Sequence, residues 1–291
     1  MAPPGDFFQR VAIIGLGLMG GSWGLALKAR GFQGRRVGCD QSAIVSRALA
    51  CGAVDEGSED LAAAVAEADL VILATPVGAV LQLLSQLKGL ASPRALVTDL
   101  GSTKRLICQR AREIFGDEPL FLGGHPLAGK ERSGLENAEA GIFANARYVL
   151  TPLEPAHLSD ARVGAWLSLL STLGAKPYIS DPSSHDRAVA FLSHLPQLLS
   201  SGLASLVMDE SAEERLPLEM AASGFRDVTR LAESPYPVWR DICLTNVENI
   251  QRALEALIEK LESMKLHLSD RDLEREFKQA SKLRQRLREL G

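Results

Sequence analysis

The run Val11-Ala12-Ile13-Ile14 leads without interruption into Gly15-Leu16-Gly17-Leu18-Met19-Gly20-Gly21, and Ser22 to Arg30 then reads as a helix. A short apolar, partly β-branched segment of this kind fits a strand buried on both faces of a parallel sheet. Leaving that strand through G-x-G-x-x-G and entering a helix at once commits the chain to a βα unit. Gly15 makes the tight turn, Gly17 lets a ligand approach the backbone, and Gly20 permits close packing of helix on strand. The free N–H groups at the helix start, together with the positive end of its dipole, favour a phosphate. Gly15, Leu16, Gly17, Leu18, Met19 and Gly20 are therefore the candidate pyrophosphate-binding residues.

A glycine-rich turn alone is weak evidence, and the next element strengthens it. A second strand, Arg36 to Cys39, ends in Asp40, twenty residues after Gly20. An acid in that place accepts hydrogen bonds from adenosine ribose hydroxyls and repels a 2′-phosphate. The expected cofactor is NAD, with NADP possible. Arg47, nearby, reads as a solvated helix residue and not as a phosphate clamp.

The alternation continues through a helix from Ser42 to Cys51 closed by Gly52, a strand Leu70 to Ala74 closing in Thr75-Pro76, and a helix Val80 to Leu90. Strand Leu96 to Asp99 follows, with Gly101-Ser102-Thr103-Lys104 and a helix to Ile114. Pro119 to Leu122 reads as a short strand running into a glycine–proline turn that carries His125. Tyr148 to Leu150 and Pro177 to Ile179 complete a mostly parallel, doubly wound α/β sheet. Ligands bind such sheets at the carboxyl ends of the strands, so Thr75 and Pro76 join the cofactor candidates. Ser102 and His125 face the nicotinamide end. Ser102 also suits a helix N-cap, and Lys104 reads as a solvated or phosphate-side charge.

Beyond Asp181-Pro182 the β-type signals fade, which divides the chain into residues 1–181 and a helical part, 182–291. Ser184 to Met208 reads as one long helix that Pro196 must kink. His194 and Gln197 share a face of it; His194 is either a buried, bonded histidine or a substrate contact. His185 and Asp186 read as helix-start capping and pairing residues. In Gly224-Phe225-Arg226-Asp227-Val228-Thr229-Arg230, Arg226 is either part of a surface salt-bridge ladder or a fork for a carboxylate. Val247, Ile250, Leu254, Leu257, Leu261 and Met264 make one apolar stripe, and Leu273, Phe277, Ala280, Leu283 and Leu287 another, behind a cap at Ser269-Asp270. Two such stripes in a small helical part predict a homodimer.

Composition narrows the partners. With 46% hydrophobic and 23% charged residues and a net charge of -4, the chain reads as an ordinary soluble protein. An acidic balance argues against nucleic acid or an anionic membrane surface. No uninterrupted apolar run nears the ~18 residues of a membrane span, and Met1 to Gln9 lacks a signal pattern. The four scattered cysteines fit reduced thiols, with no zinc-type spacing. A cytoplasmic enzyme is expected.

Assembled in order, Gly15 to Gly20, Asp99 to Lys104, Gly124 to Gly129, His185-Asp186, Ser193 to Pro196 and Gly224 to Arg230 resemble the prephenate/arogenate dehydrogenase family over essentially the whole length. The resemblance implies an oxidative decarboxylation dependent on NAD(P), a Rossmann domain and a helical dimerisation domain. It assigns His125 to accepting the ring hydroxyl proton, Ser102 to orienting it, and Arg226 to a substrate carboxylate, with His194 and position 197 lining the pocket. No metal is required. Many prephenate-using members carry a histidine where Gln197 stands, which tilts the expectation towards arogenate. No fused regulatory or chorismate mutase domain is expected. Two other readings are a β-hydroxyacid dehydrogenase, against which the absence of lysine from Ser184 to Met208 weighs, and a non-catalytic dinucleotide sensor.

Overall fold

The computed structural model describes residues 7–130, 132–214, 218–269 and 271–290. Its first part alternates β1 (Arg10–Ile14), α1 (Leu18–Ala29), β2 (Arg35–Cys39), α2 (Ser42–Cys51), β3 (Glu56–Ser58), α3 (Leu61–Val65) and β4 (Leu70–Leu73). There follow α4 (Val77–Leu87), β5 (Leu96–Asp99), α5 (Arg105–Phe115), β6 (Leu120–Pro126), β7 (Arg147–Pro152), α6 (Ala161–Thr172) and β8 (Lys176–Ile179). The strands form one sheet in the order β3-β2-β1-β4-β5-β6-β7-β8, and every neighbouring pair is parallel except β6 with β7. The strand order reverses between β1 and β4, which opens a crevice at their carboxyl ends.

Strand side chains alternate between two cores. Val11, Ile13, Leu70 and Ile72 face Trp23, Phe143, Tyr148 and Trp166, while Ala12, Ile14, Val71 and Leu73 face Val80, Leu84, Ile107 and Phe121. Helices thus cover both faces, the reason these strands are apolar throughout. Trp23 and Trp166 stack with ring centroids 4.9 Å apart.

The structure departs from the local reading of the sequence at three places. The segment Gly123-Gly124-His125-Pro126 is no turn but the end of β6, with His125 opposite Val149 of β7. Antiparallel pairing with β7 supplies backbone partners that local turn signals do not reveal. The edge strand β3 was not anticipated, because Glu-Gly-Ser carries no apolar side chain and is held by backbone pairing to β2. Helix α5 starts at Arg105, so Ser102 is not its N-cap.

The helical part comprises α7 (Pro182–Val189), a π-helical turn (Ala190–His194), α8 (Leu195–Glu214), α9 (Ser223–Thr229), α10 (Tyr236–Thr245), α11 (Val247–Leu266) and α12 (Asp272–Glu289). Asp181 caps α7, its Oδ1 accepting from the Ser184 N–H at 2.8 Å. The disturbance expected from Pro196 is a π turn just ahead of it. Proline has no N–H for the carbonyl four residues back, and a wider turn relieves that mismatch. Within the stretch Pro182–Ala212 an 18-residue window has the mean hydropathy, 1.2, of a membrane span, because its polar residues are spread among many apolar ones. Four of them, His185, Asp186, His194 and Gln197, are buried and hydrogen-bonded within the protein. Of the expected cap of α12, Asp270 lies outside the described residues; Arg271 immediately precedes that helix. By contacts the chain groups into two compact units, Met1–Val247 and Glu248–Gly291. In the second unit Lys260 of α11 pairs with Glu276 of α12 at 3.1 Å.

Candidate active site

The turn from β1 into α1 has the geometry its glycines predict. Gly15 adopts φ +93°, and a side chain there would meet Thr75 and the Ala74 carbonyl. A Cβ on Gly20 would lie 1.9 Å from the Gly15 carbonyl oxygen, whereas around Gly17 nothing stands within 4 Å. The open space at Gly17 is where a pyrophosphate can reach the backbone. Leu16 is fully buried and offers the turn only its backbone. Leu18 and Met19 open α1.

Beside this turn lies a cavity of about 270 Å³, lined among others by Gly15, Cys39, Asp40 and Thr75. The Asp40 carboxylate accepts from the Leu16 and Gln41 N–H groups, each at 2.7 Å. Pro76 immediately precedes α4. The Oγ of Thr75 is buried without a partner. Arg47 pairs with Glu136 at 2.8 Å, in line with a surface role. The glycine turn, the carboxylate at the end of β2 and the cavity between them fit the adenosine and pyrophosphate parts of a dinucleotide.

Further along the same edge, buried charges surround His125. Asp99, at the end of β5, is fully buried and accepts from Gly101 N–H (2.8 Å) and Gly124 N–H (3.2 Å). It is also paired with Lys104, whose side chain is fully buried. This corrects the reading of Lys104 as a solvated charge. The α5 N-terminus is capped from a distance: Lys104 N–H and Arg105 N–H donate to the two oxygens of Asp186, at 2.7 and 2.9 Å. Asp186 and His185 therefore do not serve the start of their own helix, where Asp181 already acts. No local pattern could reveal this, since the partners are about eighty residues apart.

His125 Nδ1 stands 2.8 Å from His185 Nε2, and His185 Nδ1 stands 2.7 Å from Asp186 Oδ1. Burial, followed by the neighbouring His185, Lys104 and His194, holds His125 well below the usual imidazole range. The ring is thus neutral, and the residue as a whole is only half-buried. Ser102, on the loop leaving the neighbouring strand β5, is also partly accessible. His194 is buried in the π turn, 3.3 Å from Asn246 Nδ2 and edge-on to Trp239. Burial brings its pKa down to about 4, with Asp186 opposing the shift and His185 adding to it.

Gln197 is buried, its Nε2 donating to the Leu231 carbonyl at 2.7 Å and to Ser201 Oγ at 3.2 Å. Arg226 lies exposed on α9, its Nε donating to the Ala221 carbonyl at 3.1 Å. The structure thus brings His125, His185, Asp186, Lys104 and Asp99 into one connected group. Arg226 has no contact with that group among the described residues.

Residues 23–179 match the family model for the nucleotide-binding domain of prephenate dehydrogenase, and residues 181–285 match the model for its dimerization domain. The chain belongs to the prephenate dehydrogenase family. It is accordingly an oxidoreductase of the prephenate/arogenate type. The prephenate dehydrogenase of Lactococcus lactis is 36% identical over 282 residues, covering 95% of this chain and 77% of that protein. The Aquifex aeolicus prephenate dehydrogenase, solved with hydroxyphenyl propionate and NAD+, superposes with TM-score 0.87 at 29% identity over 96% of this chain and 98% of that one. Synechocystis arogenate dehydrogenase superposes with TM-score 0.79 at 31% identity, covering 96% and 99%. Within this family His185-Asp186 and Asp99 to Lys104 are among the motifs that carry the resemblance, but their contacts are legible only in the structure. Local reading assigns their charges to caps and solvent, because their partners lie far along the chain.

Proposed function

We propose that this chain oxidises a cyclohexadienol carrying a ring carboxylate, with NAD as cofactor, and releases carbon dioxide and a phenol. The observation that carries the reading is the neutral, partly accessible His125 at the carboxyl edge of a sheet with a dinucleotide crevice. Gly15 to Gly20 with Leu16, Leu18 and Met19, Asp40, Thr75 and Pro76 hold the cofactor, which supplies the hydride acceptor when bound. Asp40 favours NAD over NADP, because its carboxylate repels a 2′-phosphate.

The chemistry asks little more of the protein. His125 accepts the proton of the substrate's hydroxyl while the carbon bearing it gives up hydride. The bond from ring to carboxylate then breaks, and its electron pair completes the aromatic ring. No metal or covalent nucleophile is needed for that step. Ser102 orients the hydroxyl, Arg226 binds a substrate carboxylate, and His194 and Gln197 line the side-chain end of the pocket.

Gln197 favours arogenate, whose amino-acid side chain is a zwitterion of no net charge, over prephenate, whose keto-acid side chain is anionic. A neutral amide has no charge with which to hold the latter. The boundary near Asp181 separates the nucleotide-binding part, residues 1–181, from the substrate and dimerisation part, 182–291. The protein works as a homodimer in the cytoplasm, a reading supported by the apolar stripes of α11 and α12 and by its scattered thiols.

The test is formation of reduced nicotinamide with arogenate, prephenate and a 3-hydroxy acid, each with NAD and with NADP. The expected order of kcat/KM is arogenate above prephenate, with NAD above NADP and no turnover of the 3-hydroxy acid. Turnover of the 3-hydroxy acid alone would mark a β-hydroxyacid dehydrogenase, and no turnover of any would mark a dinucleotide sensor.

A further inference from the structure

Asp186 is fully buried, and as a carboxylate it only accepts hydrogen bonds. It already takes the Lys104 and Arg105 N–H groups at the start of α5, where the helix dipole favours its negative charge. Its close neighbour His185 Nδ1, at 2.7 Å, must therefore be the donor. A neutral imidazole with its proton on Nδ1 has only an acceptor at Nε2. In that neutral form the Nε2 acceptor lies 2.8 Å from His125 Nδ1, so the bond between the rings requires the proton on His125 Nδ1 and leaves its Nε2 bare.

We propose that Asp186 and His185 are positioning residues that lock His125 in the Nδ1–H tautomer, so that its Nε2 is always free to take the substrate's proton. The chain of dependence runs from the N-terminus of α5 to Asp186, then to His185 and His125. It joins the helical segment after Asp181 to the sheet edge, so the tautomer is right only when α7 is seated on α5. The logic is that of a carboxylate orienting a catalytic histidine, with a second imidazole inserted between them. The role given to Nε2 rests on the reading of His125 as the base; the tautomer itself does not.

His185 is the residue to vary, because Asp186 also caps α5 and its loss would mix folding with tautomer. In His185→Leu, His125 loses its acceptor. In His185→Gln, the amide oxygen can accept from His125 Nδ1–H and the amide nitrogen can donate to Asp186. The first readout is the ¹⁵N spectrum of the imidazole of His125 without substrate. The expected result is the Nδ1–H form in the parent and in His185→Gln, and mostly the Nε2–H form in His185→Leu. The second readout is kinetic: kcat should fall by about 100-fold or more in His185→Leu with KM nearly unchanged, and return to within about 10-fold of the parent in His185→Gln.

An Nε2–H form in the parent protein would overturn the proposal, as would a leucine variant with parental tautomer and turnover. A folded glutamine variant no better than the leucine one would also overturn it. If instead the tautomers behave as expected but His125→Asn keeps full turnover, the lock stands and the assignment of His125 as base fails.

Discussion

The base proposed for the reaction has to be neutral before it can accept a proton, and the surroundings of His125 favour that form. Burial first, and then the neighbouring His185, Lys104 and His194, disfavour the imidazolium. The acid limb of the kcat profile should therefore lie below the usual imidazole range, and activity should persist as pH falls through 6.5. His125→Asn should lower kcat by about 100- to 10,000-fold with little change in KM; steady-state kinetics at saturating NAD would show it. Arg226→Ala should instead raise KM by about 10- to 100-fold, the value of one lost charge-assisted pair.

His194 permits a separate statement about stability. Its folded-state pKa, about 4, is below the unfolded value of 6.5. As pH falls between those limits the unfolded chain takes up a proton that the folded protein refuses, so stability declines through that window. The loss is at most about 3 kcal/mol for this group. His194→Asn, which keeps an acceptor for Asn246, should lose correspondingly less stability than the parent when urea unfolding is compared at pH 7 and pH 4.5.

Among the elements, the β1–α1 turn separates packing from binding within six residues. Gly20→Ala places a methyl 1.9 Å from a backbone oxygen that cannot retreat, and should cost about 3 kcal/mol or more. Gly17→Ala meets nothing within 4 Å, and Gly17 has an ordinary φ of -74°. It should change stability by about 1 kcal/mol or less yet weaken NAD about 10-fold or more, because the methyl occupies the phosphate's approach. Thermal unfolding alongside NAD titration distinguishes the two. The π turn ahead of Pro196 works in a similar way: the proline forces an irregularity, and that irregularity carries the buried His194.

For the whole molecule, the features that remain exposed are as telling as those that are buried. Leu261, Phe277, Leu283 and Leu287 are 49%, 66%, 57% and 47% exposed on α11 and α12. Side chains at this spacing make stripes that a second copy of the chain can cover. Light scattering at micromolar concentration should give twice the chain mass of 31.3 kDa, and Phe277→Glu with Leu283→Glu should shift it towards that of one chain.

Much of this architecture can be read from the chain itself. The buried strands, the glycine turn, Asp40 and the Gly52 cap follow from patterns a few residues long, governed by backbone sterics, burial and capping that act locally. Two strands that depend on backbone pairing, β3 and the end of β6, carry no such signal. The sequence by itself determined a doubly wound sheet with a dinucleotide crevice at one edge and His125 among the residues there. The tertiary structure alone decided that Asp186 caps a helix about eighty residues away, that Lys104 is buried against Asp99, and that His185 stands beside His125. Those are matters of charge and hydrogen bonding between distant segments, and a carboxylate's partner exists only once the chain has brought it within 3 Å.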